Sequence, residues 1–181
     1  MNSRINLALN YLDLGEPDRA DEHLSAAGAL LADDEWFRWV YTIRFHSARA
    51  EYWLAKGNPA EAGTCATASL DLARTTRRRK HVAWARKLLG DVAAMEDRPR
   101  EAVAHYEAGL STLQRHPCPS VQWKISAALA AAHATLHQSE EAEQWRAATQ
   151  RVLRDLAASI REGPLQTRFR QSRVVREFRA G

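Results

Sequence analysis

Two cysteines, Cys65 and Cys118, are all that a chain of 181 residues contains. One lies in an Ala-rich helical pattern and the other in the loop "HPCP", so a disulfide framework is not what organises this protein. Glycine and proline are sparse, at eight and six residues, and no stretch is of low complexity. Long apolar runs are missing too. The longest, "ISAALAAAHATL" at 125–136, is too short and too Ala-rich to cross a bilayer. The N-terminus "MNSRINLALNYLDLG" lacks the basic, apolar and cleavage-site zones of a signal peptide. These absences point to a cytoplasmic protein without a membrane segment.

Neither sign of charge dominates. Lys and Arg number 26 against 22 Asp and Glu, for a net charge of +4 and a pI near 9.4. That mild bias permits acidic partners without demanding nucleic acid. Motifs that carry chemistry are also lacking: there is no P-loop, dinucleotide fingerprint, serine elbow or zinc-protease signature. His133 and His137 stand four apart, as two metal ligands on a helix would. However, His137 falls at a turn, and no Cys or carboxylate is placed to complete a site. Asp33–Asp34 and Glu140–Glu141 lie at helix starts, where they complement the helix dipole. The sequence therefore predicts no catalytic residues, no metal and no cofactor.

What is present is a period. Four breaks, "LGEPDRA", "KGNPAEA", "EDRPREA" and "HQSEEA", each end on an alanine: Ala20, Ala62, Ala102 and Ala142. These alanines fall 42, 40 and 40 residues apart. Twelve residues before each stands another small residue, Ala8, Ala50, Gly90 or Ala130, and three further on come Tyr11, Trp53, Ala93 and His133. A repeat of about 40 residues follows, which fixes the architecture before anything else. Apolar spacing of three and four around each break predicts two helices per unit. Pro17, Pro59 and Pro99 sit one residue into the second helix, where a missing N–H costs nothing. Ser139 takes that place in the fourth unit and is expected to cap. Gly15 and Gly57 are suited to stop the first helices of units one and two.

The expected fold is all-α: about four antiparallel helix hairpins stacked in a right-handed superhelix, as one domain over 1–181. Its units span about 2–32, 35–75, 78–115 and 120–161. Small residues let paired helices approach, while Leu24, Leu54, Leu89, Tyr106 and Trp145 fill the seam. A tail at 163–179 is expected to cap the last face. Its apolar residues Leu165 and Phe169, then Val174, Val175 and Phe178, lose a common face at Gln171–Ser172, where a bend is predicted. The first hairpin begins directly after Met1 without a cap. Either the chain is excised from a longer protein, the favoured reading, or this face meets a partner, another copy included.

Two basic clusters and an aromatic one stand out. Between Ala73 and Gly90 there is no acid, while Arg74, Arg77, Arg78, Arg79, Lys80, Arg86 and Lys87 accumulate. At 100° per residue these spread around a helix and straddle a loop, so a solvated run is the simpler reading than a nucleic-acid face. In the tail, Arg168, Arg170, Arg173, Arg176 and Arg179 alternate with the apolar residues expected to dock it. A nucleic-acid-associated regulator using 74–87 and this tail is the alternative function. "WFRWVY" at 36–41 is too apolar all round to hide on one stripe, and an exposed part of it would mark an interface.

The spacing A-x-x-Y-x-x-x-G-x-x-x-x-A-x-x-x-L-x-x-A, from Ala8 through Tyr11, Gly15, Ala20 and Leu24 to Ala27, resembles a tetratricopeptide (TPR) repeat. Unit two repeats it with Ala50, Trp53, Gly57, Ala62, Ala66 and Ser69, and unit three with Gly90, Ala93, Ala102, Tyr106 and Gly109. Unit four is degenerate, with His133 at the aromatic place and Trp145 three residues after Ala142. The period exceeds the usual ~34 residues, which implies longer helices. Long Ala- and Arg-rich units with a tail like "LQTRFRQSRVVREF" are similar to C-terminal arrays of large bacterial signalling proteins, such as ATPase-linked adenylate cyclases and maltose-activator-type regulators.

The resemblance implies a protein- or peptide-binding scaffold without enzymatic activity. Its partner would be an acidic segment or another domain of the parent polypeptide. The resemblance also implies a groove lined by the first helices. Six residues before the small positions lie Asn2, Arg44, Trp84 and Lys124, and one residue after them Leu9, Glu51, Asp91 and Ala131. With Lys87, the expected groove residues are Arg44, Glu51, Trp84, Lys87, Asp91 and Lys124. Family members that clamp a terminal carboxylate place Lys and Asn in the first unit. The matching residues here are Ile5 and Leu9, so the resemblance does not carry that clamp over.

Overall fold

The computed structural model describes residues 1–33, 38–172 and 175. The aromatic residues Trp36 and Phe37, the side chain of Trp39, Asp34, and the tail residues Arg173, Val174, Arg176, Phe178 and Arg179 lie outside the described part. Among the described residues no helix is long and apolar enough to cross a membrane.

The chain folds as consecutive helix hairpins: α1 (Asn2–Asp13) with α2 (Pro17–Asp33), α3 (Arg38–Ala55) with α4 (Pro59–Thr75), α5 (Arg79–Met95) with α6 (Pro99–Leu113), and α7 (Pro119–Thr135) with α8 (Ser139–Ser159). A short α9 (Pro164–Arg170) follows. The first helices form an inner layer in which α1 touches α3, α3 touches α5 and α5 touches α7. Helices α2, α4 and α6 each pack on their own partner and on the first helix of the next unit, as α4 does on α5.

The small-residue comb holds the hairpins together. Ala8, Ala20, Ala50, Ala62, Ala102, Ala130 and Ala142 are all buried, because a larger side chain would push the paired backbones apart. The core runs along the stack as a chain of clusters. Ile5, Ala8, Leu24 and Tyr52 make the first, Ala50, Ala66 and Leu88 the second, and Tyr106, Leu113, Ile125 and Leu129 belong to the third. Leu54 and Leu89 pack on the second cluster and Trp145 on the third. Tyr11 and Trp53 pack on the first, and His133 is buried with Nδ1 2.9 Å from Gln138 Oε1. No hairpin closes its own core, so each depends on its neighbour.

The hinges share one geometry. In the first, the Gly15 N–H donates to Leu12 O and the Glu16 N–H to Tyr11 O at 2.8 Å, the paired bonds that satisfy a helix C-terminus when the next residue is left-handed. Gly15 (φ 75°) and Gly57 (φ 70°) supply that conformation without cost. Units three and four use Asp97 (φ 56°) and His137 (φ 58°) instead. Arg77 (φ 55°) makes the same turn between α4 and α5, so one inter-unit connection copies the intra-unit hinge.

Two expectations require correction. Ser139 is the first helical residue of α8 and not its cap; the cap is Gln138, which makes no side-chain capping bond. By contrast, the Asn58 side chain does cap α4, accepting from the Glu61 N–H at 3.2 Å. In the tail, Leu165 does not dock: it is 69 % exposed. The cover comes instead from Gln166, whose amide donates to Ala157 O and Ile160 O, both at 3.0 Å, and so satisfies the end of α8. Phe169 is half-buried and Val175 buried. Helix α9 ends at Arg170, ahead of a turn at Gln171 and a bend at Ser172.

Candidate functional site

The inner layer borders an open groove of about 520 Å³ that all four first helices line. Helix α1 contributes Asn6, Leu9, Asn10 and Asp13, and α3 contributes Arg44, Ser47, Ala48 and Glu51. From α5 come Lys80, His81 and Trp84, and from α7 Ser120, Val121 and Lys124. A volume in this range suits a ligand side chain or a small molecule.

Four of the expected groove residues, Arg44, Glu51, Trp84 and Lys124, line this one cavity. Each half-buried side chain contacts the neighbouring unit. The Arg44 guanidinium donates to Asn6 Oδ1 at 2.7 Å and also to Asn2 Oδ1. The Trp84 indole N–H donates to Glu51 Oε1 at 3.0 Å, tying α5 to α3. The Lys124 ammonium lies 4.9 Å from the centre of the Trp84 ring, tying α7 to α5. The inner rows are therefore rungs between successive repeats.

Lys87 and Asp91 stand beyond this cavity. Lys87 lies 5.3 Å from the Trp84 ring centre and pairs with Asp91 at 2.6 Å. The other Asp91 oxygen accepts from Tyr106 OH at 3.0 Å. Asp91 thus has both oxygens engaged and lines a smaller notch of about 250 Å³ with Ala94, Ala128 and Ala131. Burial first, then the Asp91 carboxylate, pushes the Tyr106 phenol well above its usual range.

The cavity's electrostatics lean positive. Arg44, Lys80 and Lys124 face the carboxylates of Asp13 and Glu51. Burial raises the Glu51 carboxyl above the ordinary range, against the pull of Lys87, the Trp84 N–H and Lys124. His81 is lowered by burial and then by repulsion from Lys80, Arg44 and Arg78. Among the described residues no cluster of His, Cys, Asp and Glu could hold a metal ion.

Sequence reasoning missed Asn6, Asn10, Lys80, His81 and Ser120. On α1, Asn6 and Asn10 line the cavity beside the expected Leu9, Asn2 accepts from Arg44, and Ile5 is wholly buried. The available signal was spacing, since Lys80 and His81 stand four and three residues before Trp84 on one helix face. The basic run itself divides. Lys80 lines the cavity rim, while Arg86 reaches His105 Nδ1 on α6 at 3.1 Å.

Two solved structures share this arrangement. Both contain nearly identical TPR-like repeats of a candidate kinesin light chain from Podosopora anserina, one of them a point variant. They superpose with TM-scores of 0.59 and 0.60 at 20 % identity, covering 99 % of this chain and 91 % of theirs. The fold is a TPR-like α-solenoid. At this identity the likeness concerns the fold alone. No family model and no curated protein sequence matches the chain. Within the solenoid the cavity lies on the layer of first helices.

Proposed function

We propose that this TPR-like solenoid is a non-enzymatic interaction module whose concave groove binds an acidic segment of a protein partner. The observation that carries the reading is the convergence of Arg44, Lys80 and Lys124 on one cavity lined by all four first helices. A peptide lying there would touch every repeat at once, and repeats of this fold generally serve as protein-interaction scaffolds. Asn6, Asn10 and Ser120 add hydrogen-bonding groups, while Leu9, Val121 and Trp84 supply apolar surface. We assign the module to a regulatory or sensory part of a larger bacterial signalling or transcription-control protein. That assignment rests on the resemblance of its long repeats and Arg-rich tail.

The test is binding of short Glu-rich peptides, their Lys-rich counterparts and single-stranded DNA, each followed by fluorescence anisotropy across ionic strength. The reading predicts saturable binding of the Glu-rich peptides only. Tighter binding of DNA with a steep salt dependence would favour the nucleic-acid alternative instead.

A further inference from the structure

Several basic side chains of the described part are neutralised by ion pairs, and the chamber cations are not among them. Among the described residues, ion pairs engage Arg19, Arg49, Lys56, Lys87, Arg98, His105 and Arg146. None takes in Arg44, Lys80 or Lys124. Arg44 is held by the neutral amides of Asn2 and Asn6. Lys124 is held by the Trp84 and Trp123 rings, 4.9 and 5.6 Å from their centres. Both are thus positioned by groups that leave the full positive charge in place. Two carboxylates, Asp13 and Glu51, share the lining, so three cations against two acids leave a net positive balance; Glu51 accepts from the indole N–H and also attracts Lys124.

The helix backbones add to this. Lys80 and His81 belong to the first turn of α5, and Ser120 and Val121 to the first turn of α7. Neither helix has a side-chain cap. Two positive dipole ends therefore border the same chamber as the three cations, an arrangement that favours a compact, multiply charged anion.

Resting on the acidic-peptide reading, we propose that the chamber seats a phosphomonoester dianion carried on the partner peptide, with Arg44, Lys80 and Lys124 as its counter-charges. A carboxylate brings one charge and two oxygens, whereas a phosphoryl group brings nearly two charges and three acceptors. The latter is the better match to a lining that carries cations on three different helices. Arg44 donates through Nη1 and Nη2 to Asn2 and Asn6, and exchange of those neutral acceptors for phosphate oxygens would engage its planar fork. His81 Nδ1 or Nε2 and Ser120 Oγ are the neutral groups at hand to donate further bonds. The partner would thereby be read in its phosphorylated form.

The experiment compares three peptide libraries, identical except for phosphoserine, Asp or Ser at the central position within acidic flanks. Each is titrated against the full chain, with inorganic phosphate alone as competitor. The proposal predicts that phosphoserine peptides bind about tenfold or more tightly than their Asp versions, a difference of ~1.4 kcal/mol. That preference should vanish in Lys80→Gln, an exposed position that leaves folding intact, and in Lys80→Gln/Lys124→Gln, but persist in Arg151→Gln. Equal binding of Asp and phosphoserine peptides would overturn the proposal while leaving the acidic-peptide reading in place. Inorganic phosphate competing as well as the phosphopeptide would overturn the peptide-borne form of it. Failure of all three libraries would remove both readings.

Discussion

The ring of Tyr106 lies against Gly90 so closely that a Cβ added at Gly90 would fall 2.2 Å from Cε1 and 2.5 Å from Cδ1. The other units carry alanine at this position, Ala8, Ala50 and Ala130. Only the third pairs it with a tyrosine four residues after its hinge alanine; the first and second place Leu24 and Ala66 there. Size is exchanged across the seam, and the tyrosine gains the Asp91 bond that ties α6 to α5.

Gly90→Ala should therefore destabilise the protein by ~2 kcal/mol or more, as overpacking of a tight seam does. Gly90→Ala/Tyr106→Leu should recover part of that loss despite removing an aromatic side chain. Urea unfolding midpoints of the wild type, both single variants and the double variant would give the coupling. Additive costs would show that the two residues do not share the seam as described.

Left-handed residues at the hinges make a second prediction. Arg77, Asp97 and His137 adopt the conformation that Gly15 and Gly57 provide. Arg77→Gly and His137→Gly should each stabilise the fold by ~0.5–1 kcal/mol, since relief of the Cβ clash outweighs the added chain entropy. Asp97→Gly should gain less, because Asp tolerates this region better. Gly15→Ala and Gly57→Ala should lose ~1 kcal/mol each. Thermal melts of the five variants would check the order.

Glu51 gives a pH signature. Its folded-state carboxyl is raised by burial, so its contribution to stability is fully present below the unfolded carboxylate value. That contribution is lost as pH rises through the higher folded value. Glu51→Gln keeps an acceptor for the Trp84 N–H and removes this titration. The variant should match the wild type in acid and become the more stable of the two as pH rises from the ordinary carboxylate range toward neutrality. Denaturant midpoints of both proteins across that range would show a widening gap; parallel curves would contradict the assignment.

Much of the fold was legible because repetition multiplies a weak local signal. Ala20, Ala62, Ala102 and Ala142 recur in register with Pro17, Pro59 and Pro99, and each recurrence supports the others. The turns at Asp97 and His137 fall on the period set by Gly57, so the repeat marks the hinge there although glycine does not. Leu165 misled: its spacing from Phe169 fits an apolar face, yet a polar side chain, Gln166, makes the closing contacts. In the groove, the rows holding Arg44, Trp84 and Lys124 could be read from the period alone. Asn6 and Lys80 share those faces, four residues from Asn2 and Trp84, yet how wide a stripe turns inward depends on the rotation between hairpins, and that is set by packing. Lys80 also sat in a basic run whose simplest reading was solvent.

The central claim is that the concave cations, and not the net basic charge, hold an acidic partner. Arg44→Glu/Lys124→Glu, measured against the Glu-rich peptides by anisotropy with helicity checked by circular dichroism, tests it most directly. The account predicts unchanged helicity and a loss of affinity of about a hundredfold, ~2.7 kcal/mol. The same two-residue reversal at the outward positions Arg74 and Arg151 should change it little. Undiminished affinity in the Arg44→Glu/Lys124→Glu protein, with the fold intact, would contradict the groove assignment.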